Sequence, residues 1–171
     1  MKVCFDIECD KLVNPTTIWL VVAKELTEEG KIHVFRDVQT EEGRSRFLAF
    51  WRTVDTFVGH NWLEYDYPVL LRLLGPDFEL SQVARVSVDT LVLSRLADYS
   101  RAGAQAADLD AESPAVVGAK LRHSVAAYGT QFGYPKIDFT DFSQYSTQME
   151  EYCVRDVLIT EKIFNLHKAY A

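Results

Sequence analysis

The sequence VCFDIECD, residues 3–10, alternates apolar and polar side chains, and this alternation decides how the fold is interpreted. Valine, phenylalanine and isoleucine stand at its odd positions, whereas Asp6 and Glu8 stand at even positions. Because successive side chains of a β-strand point to opposite faces, the pattern predicts a strand that carries both carboxylates on one face. A pair of like charges on one face of a strand needs a neighbour that balances it.

Three further segments have the composition of strands. TIWLVVAKEL (residues 17–26) and KIHVFRDV (residues 31–38) are separated by the turn sequence Glu-Glu-Gly at 28–30, which predicts an antiparallel meander with the first strand. TFVGHN (residues 56–61) is a short apolar run that ends in a Gly-His-Asn turn. It predicts a fourth strand.

Helical periodicity accounts for much of the chain between and after these strands. It predicts helices over residues 41–54 and 63–74, the second of which stops at Gly75-Pro76. RVSVDTLVLSRLADY (residues 85–99) is predicted to begin as a short strand and to become a helix near Asp89 or Thr90. Asp89 also qualifies as a simple helix cap.

The last third of the chain is less regular until its final helix. Residues 100–120 are rich in Ala, Asp, Ser and Gly, which predicts a long connection with a flexible loop over residues 100–118. KLRHSVAAYG (residues 120–129) predicts a helix that ends at its glycine, and an irregular aromatic segment follows. The final helix is predicted from about Thr147, opened by a capping box from Thr147 to Glu150.

This order of elements predicts an α/β fold with a mixed central sheet, an antiparallel meander and flanking helices. The 171 residues suit a single domain over residues 1–171, with 48% hydrophobic and 25% charged residues. No apolar run approaches the ~20 residues that cross a bilayer, so no membrane association is expected. Three cysteines without a C-x-x-C pair indicate reduced thiols in a cytoplasmic protein.

The formal net charge of −7 limits the partners of the chain. Duplex nucleic acid is bound mainly through many phosphate contacts, which an acidic surface opposes. A protein that holds a short strand end in a small pocket is still compatible with this charge, particularly where cations occupy the pocket.

Two more acidic residues stand where a lone charge is expensive. Asp156 falls within the apolar stripe of the final helix, one turn after Tyr152 on the same face. Asp66 precedes Pro68 at the predicted start of a helix. Taken singly, Asp156 could be paired with an arginine or a turn, and Asp66 could be an ordinary helix cap.

The combination of these motifs is far more specific than any one of them. In order, the chain has D-x-E on its first strand, an Asp after a G-H-N turn, and Y-x-x-x-D on its last helix. This set resembles the DEDD superfamily of 3′→5′ exonucleases, in its tyrosine-bearing branch, which has an RNase H-like fold. Within that superfamily the chain most resembles the proofreading exonuclease domain of family A DNA polymerases from podophages. VDTLVLSRL (residues 88–96) and YCVRDVLIT (residues 152–160) extend the likeness.

The resemblance implies a metal centre. Asp6, Glu8, Asp66 and Asp156 would hold two divalent cations, Mg²⁺ or Mn²⁺, with Asp6 bridging both. Glu8 and Asp156 would complete the first site, and Asp66 would support the second. Oxygen ligands suit these hard cations, whereas zinc would favour histidine or cysteine, so neither His60 nor His123 is expected to be a zinc ligand. Tyr152 would be the additional catalytic group, which orients the attacking water.

The implied activity is hydrolysis of single-stranded or frayed DNA ends from the 3′ side, which releases nucleoside 5′-monophosphates by a two-metal-ion mechanism. The expected partners are a single-stranded DNA 3′ end and a DNA polymerase or another replication protein. A viral enzyme of this kind would act in the host cytoplasm. Whether the chain is a free-standing exonuclease or an excised polymerase domain stays open.

Further contacts with the strand can be proposed from the resemblance. Leu12 would pack against the terminal base and Asn61 would lie near the substrate, although a core leucine and a turn asparagine are equally reasonable interpretations. Lys120, Arg122, His123 and Lys136 are the basic residues that an incoming strand would pass. For this basic group, a solvated surface is the favoured interpretation.

Two other functions are compatible with the sequence. One is an RNA 3′→5′ exonuclease of the same superfamily, similar to RNase D or oligoribonuclease. The other is a catalytically silent module that binds a polymerase or a strand end. The complete set of four carboxylates and Tyr152 favours an enzyme over the silent module.

Overall fold

A computed structural model of the chain describes residues 1–81, 85–101 and 122–171. Within these ranges five strands form one sheet in the order β3-β2-β1-β4-β5. The strands are β1 Lys2–Cys9, β2 Ile18–Glu25, β3 Ile32–Arg36, β4 Thr56–Gly59 and β5 Val86–Asp89. Strand β1 pairs antiparallel with β2, and β2 with β3, whereas β1, β4 and β5 are parallel. The predicted mixed sheet with an antiparallel meander is confirmed.

Helices flank this sheet, which confirms the α/β class. They are α1 Glu41–Trp51, α2 Asp66–Leu74, α3 Pro76–Ser81, α4 Thr90–Ala97, α5 Val125–Gln131 and α6 Thr147–His167, with a 3₁₀ turn at Lys168–Tyr170. Two of the predicted helices are too long. Helix α1 ends at Trp51 and not at residue 54, and α2 begins at Asp66 and not at residue 63. No helix of the described part of the chain is long and apolar enough to span a membrane. The loop predicted over 100–118 lies almost entirely outside the described residues.

The prediction that Gly129 ends the fifth helix is wrong. Helix α5 continues to Gln131, and Gly129 is buried within it. A Cβ at Gly129 would lie 2.9 Å from the carbonyl oxygen of Tyr134 and 3.1 Å from a methyl group of Ile159. The glycine is therefore required because two segments approach closely, not because the helix stops.

The predicted capping box of the final helix is also wrong by one residue. Ser146 is the N-cap of α6, and its hydroxyl accepts a hydrogen bond from the backbone N–H of Met149. Glu150 does not complete a box but accepts hydrogen bonds from Arg36 and Tyr145. This pairing joins the first turn of α6 to β3 across the irregular segment.

The two faces of the sheet have different cores. On one face, Phe5 of β1 packs edge-on against Trp51 and Trp62, with ring centroids 5.0 and 5.2 Å away. On the other face, α6 covers the sheet with Met149, Cys153 and neighbouring apolar residues. Because side chains alternate along β1, the even-numbered positions of the strand face α6.

Candidate active site

Strand β1 directs its two carboxylates toward α6, as the alternation predicted. Asp6 lies opposite Val22 of β2 and Glu8 lies opposite Leu20, after which the register shifts. Glu8 is buried and Asp6 is partly exposed. Burial and then the charge of Asp6 raise the pKa of Glu8 to about 10.

Helix α6 adds a third carboxylate to this face. Asp156 is buried one turn after Tyr152, and one of its oxygens lies 3.1 Å from the ammonium nitrogen of Lys136. The other oxygen, Oδ1, is buried without a hydrogen-bond partner. The interpretation of Asp156 as a simple ion pair therefore accounts for only half of its carboxylate.

Asp66 supplies the fourth carboxylate from the first residue of α2. It is 4% exposed, and its Oδ2 atom is buried without a hydrogen-bond partner. The N-cap of α2 is Tyr65, which makes no capping side-chain bond. An ordinary cap would point its oxygen at the free N–H groups of the helix, so capping does not explain the unpartnered oxygen of Asp66.

The electrostatics make these residues one cluster with Asp6 at its centre. Burial and then the charge of Asp156 raise the pKa of Asp6 to about 7. Burial and then the charge of Asp6 raise the pKa values of both Glu8 and Asp66. Burial raises the pKa of Asp156 to about 6, even though Lys136 opposes the shift. Asp6 thus interacts with each of the other three carboxylates.

The donor atoms fit a hard divalent cation. Two carboxylate oxygens, on Asp66 and Asp156, are buried without any partner, and oxygen is the ligand that Mg²⁺ and Mn²⁺ prefer. Cys153 also lies against Asp6 and Glu8, with possible ligand atoms within 4.8 Å of one another. Burial, followed by the charges of the nearby acids, raises the pKa of Cys153 well above its ordinary value. The thiol is a weak donor toward Asp6 at 3.8 Å, and sulfur suits Mg²⁺ or Mn²⁺ less well than the carboxylate oxygens do.

Lys136 and Tyr152 complete the wall of the cluster. The ammonium group of Lys136 lies 4.9 Å from the centre of the Tyr152 ring, which also contacts Phe139 and Phe142 of the irregular segment. Burial raises the pKa of Tyr152 even though Lys136 opposes the shift, so the phenol is neutral at physiological pH. The solvated-surface interpretation is wrong for Lys136, because its side chain is only 28% exposed and its ammonium group pairs with Asp156.

A groove with a volume of about 740 Å³ adjoins the cluster and shares Lys136 with it. Its lining residues are Leu12, His60, Asn61, Leu91, Arg95, Arg122, His123, Ser124, Val125, Ala126 and Lys136. Three of these side chains are cationic, and no acidic residue of the described chain is among them. The groove therefore attracts anions although the chain as a whole is acidic.

The proposed substrate contacts lie at this groove. Leu12 is 77% exposed in the connection between β1 and β2, so the core interpretation of this residue is wrong. Asn61 has a positive φ of 55°, as expected of a turn residue, and it also lines the groove. Lys120 lies outside the described residues, whereas Arg122 and His123 lie at the groove.

The floor of the groove is fixed by two residues next to the acids. Asp89 caps α4 by accepting a hydrogen bond from the N–H of Leu91, as its position predicted. It also accepts from the backbone N–H groups of Asn61 and Leu63. Burial lowers the pKa of His60 to about 4, and its Nδ1 atom contacts the hydroxyl of Thr90 at 2.8 Å. His60 is therefore a neutral structural histidine.

No protein-family model matches this chain, and no curated protein matches it significantly. The geometry of the site defines its class: four carboxylates from β1, α2 and α6, of which Glu8, Asp66 and Asp156 are buried, lie beside a cationic groove.

Proposed function

We propose that the chain is a metal-dependent 3′→5′ exonuclease of the tyrosine-bearing DEDD branch, with an RNase H-like arrangement of its mixed sheet. It hydrolyses single-stranded or frayed DNA ends to nucleoside 5′-monophosphates. The observation that carries this proposal is the convergence of four carboxylates from three separate elements on one buried cluster. Such a cluster is unfavourable by itself and becomes favourable when cations are shared among its members.

The arrangement assigns different parts to the four acids. Asp6 interacts electrostatically with all three others, so it would hold a cation together with any of them. The free oxygens of Asp156 and Asp66 lie on different elements, which supports one role at each cation. When bound, two such cations activate a water molecule and stabilise the leaving 3′-oxygen.

Tyr152 serves this reaction by orientation. Its pKa is raised above an ordinary value of 10.0, so the phenol cannot act as a base at neutral pH. Its hydroxyl can still donate a hydrogen bond and fix the position of the attacking water. The adjoining rings of Phe139 and Phe142 pack against the phenol and limit its movement.

The groove supports a strand end as the substrate. Arg95, Arg122 and Lys136 line it and offer positive charge to the phosphates of a bound strand. Leu12 and Asn61, which also line the groove, would contact the terminal nucleotide. The net charge of −7 opposes longer contacts, so a DNA polymerase or another replication protein would deliver the strand in the cytoplasm, that of the host if the protein is viral.

The test is incubation of the protein with single strands labelled at the 3′ or the 5′ end, with Mg²⁺ or with EDTA. We expect immediate release of the 3′ label as a mononucleotide, a ladder from the 5′-labelled strand, and no cleavage in EDTA. Matched DNA and RNA strands separate the DNA enzyme from its RNA-trimming alternative. Intact strands under all conditions would support the silent binding module and contradict the proposal.

A further inference from the structure

A buried chain of hydrogen bonds runs from the groove to the end of α6. The Nδ1 atom of His123 lies 2.6 Å from the hydroxyl oxygen of Ser94, which is hydrogen-bonded to the hydroxyl of Tyr128. The same Tyr128 hydroxyl lies 2.9 Å from Nε2 of His167. Four side chains from α4, α5, α6 and the residues before α5 are thereby joined in series.

This chain is isolated from water over most of its length. Ser94 and Tyr128 are fully buried and His167 is 7% exposed, whereas His123 is partly exposed at the groove. The guanidinium group of Arg101 lies 3.9 Å from the centre of the Tyr128 ring, and its Nε–H donates to the carbonyl oxygen of Arg122. Arg101 therefore holds both the tyrosine and the peptide that leads into His123.

The number of available protons restricts the directions in which this series of hydrogen bonds can run. Three hydrogen bonds need three protons, and the hydroxyl groups of Ser94 and Tyr128 provide two. One imidazole nitrogen must provide the third. If His167 donates from Nε2, then Nδ1 of His123 accepts; if His123 donates from Nδ1, then Nε2 of His167 accepts. Donation from both rings would leave one buried hydroxyl proton without an acceptor among the described partners.

The tautomers of the two histidines are therefore coupled across the protein. When Nδ1 of His123 accepts, the neutral ring carries its hydrogen on Nε2. This Nε2 atom makes no hydrogen bond to any residue in the described ranges, and His123 lines the groove. We propose that Ser94, Tyr128 and His167 are positioning residues that hold His123 as the Nε2–H tautomer, which donates to a phosphate oxygen of the bound strand.

A bound phosphate favours the arrangement in which Nδ1 of His123 accepts and Nε2 carries the hydrogen, because phosphate oxygens accept hydrogen bonds. In the opposite arrangement, Nε2 would present a lone pair to the phosphate oxygens. Burial and then the charges of Arg101 and Arg95 lower the pKa of His123, which favours the neutral ring. The carboxylates and the metal centre are not part of the chain. The inference rests on the proposed function only in taking a nucleic-acid phosphate as the ligand.

Nitrogen NMR of the four histidine rings tests the coupling directly. The sample is the protein bound to an oligodeoxythymidylate of six nucleotides. EDTA is present so that no cleavage occurs. We expect both His123 and His167 to carry hydrogen on Nε2 and to have a bare Nδ1. In Tyr128→Phe the link is cut, and His167 should show an average of its two tautomers. Hydrogen on Nδ1 of His123, or unchanged His167 signals in Tyr128→Phe, would overturn the inference.

Binding of the same strand without metal tests the positioning role. His123→Ala should raise the Kd about tenfold, and Tyr128→Phe about fivefold. The double variant should bind no more weakly than His123→Ala, because Tyr128 acts through the histidine. Ser94→Ala provides a second cut in the chain, and Tyr134→Phe is the control for loss of a phenol outside the groove. Additive losses in the double variant would contradict positioning.

The two proposals fail in different ways. Absence of strand binding and cleavage by the wild-type protein contradicts the proposed nuclease. Normal binding and cleavage with additive Tyr128→Phe and His123→Ala effects contradicts only the coupled chain.

Discussion

The two faces of β1 carry side chains of opposite character on one backbone. Phe5 on one face contacts Trp51 and Trp62 within an apolar cluster. Asp6 and Glu8 on the other face point into a cluster of buried acids. The apolar face therefore stabilises the fold by packing, whereas the acids of the other face oppose folding at a pH where they are ionised.

The largest expected effect concerns the acidic face. Asp6→Ala/Glu8→Ala should lower the rate of strand cleavage by more than about 10³-fold, since changes outside the ligand shell of metal sites already cost about 10- to 100-fold. The measurement is release of the 3′ label in Mg²⁺. Glu28→Ala/Glu42→Ala removes two exposed carboxylates and is the matched control. A double variant with full activity would contradict the site.

The apolar face should respond in stability alone. Phe5→Ala should lower the free energy of unfolding by about 3–5 kcal/mol, because a buried ring is removed from a packed aromatic cluster. Urea denaturation with and without Mg²⁺ measures the loss, which should be equal in both. Phe5→Leu keeps most of the volume and should cost less than about 1.5 kcal/mol. A loss that varied with Mg²⁺ would remove the distinction between the faces.

The pH dependence of the stability of the metal-free protein also distinguishes the two faces. Asp6 binds a proton more tightly in the folded chain, at a pKa of about 7, than at its ordinary value of 3.8. The folded state therefore loses stability as the pH rises from about 4 to 7, and Asp6→Asn removes this loss. In EDTA, the free energy of unfolding of Asp6→Asn, measured relative to that of the wild type, should rise by about 1–2 kcal/mol between pH 5 and pH 8. This amount is reduced because Asp6 is partly exposed.

Asp10 is the control, because its effect on the pH dependence of stability has the opposite sign. Burial opposes the shift, but hydrogen bonds from Thr16 and Thr17 lower the pKa of Asp10 to about 2. Its stabilising contribution is present above pH 4 and is lost as the pH falls toward 2. Asp10→Asn should therefore be less stable than wild type at pH 8, and equal behaviour of the two variants would contradict the assignment.

The smallest expected effect concerns Lys136, which balances the acids without metal. Lys136→Met should lower the free energy of unfolding by about 1 kcal/mol in EDTA, because Asp156 loses its cationic partner. Saturating Mg²⁺ should raise the stability of this variant more than that of wild type. Lys136→Arg keeps the charge and is the control. Equal Mg²⁺ effects in all three proteins would show that Lys136 and cations do not compete for Asp156.

The sequence predicted the sheet and the acidic residues because both have local signatures. Alternation along β1 determines which side chains share a face, and it placed Asp6 and Glu8 correctly before any tertiary contact was known. The four-residue spacing of Tyr152 and Asp156 fixed one face of α6 in the same way. Residues at regular spacing on one element are predictable because the backbone alone relates them.

The contacts that depend on distant segments were not predictable. Lys136 comes from an irregular stretch, and its pairing with Asp156 depends on how that stretch crosses α6. The chain from His123 to His167 joins elements whose sequence separation reaches 39 residues between Tyr128 and His167. Gly129 had the signature of a helix end, but its actual role depends on the approach of Tyr134.

Asp89 has a mechanical consequence. One carboxylate accepts hydrogen bonds from Asn61 at 2.8 Å, Leu63 at 3.2 Å and its own helix at Leu91 at 2.9 Å. The turn before α2 and the start of α4 cannot separate without breaking the bonds from both Asn61 and Leu63, so they are expected to move as a single rigid body.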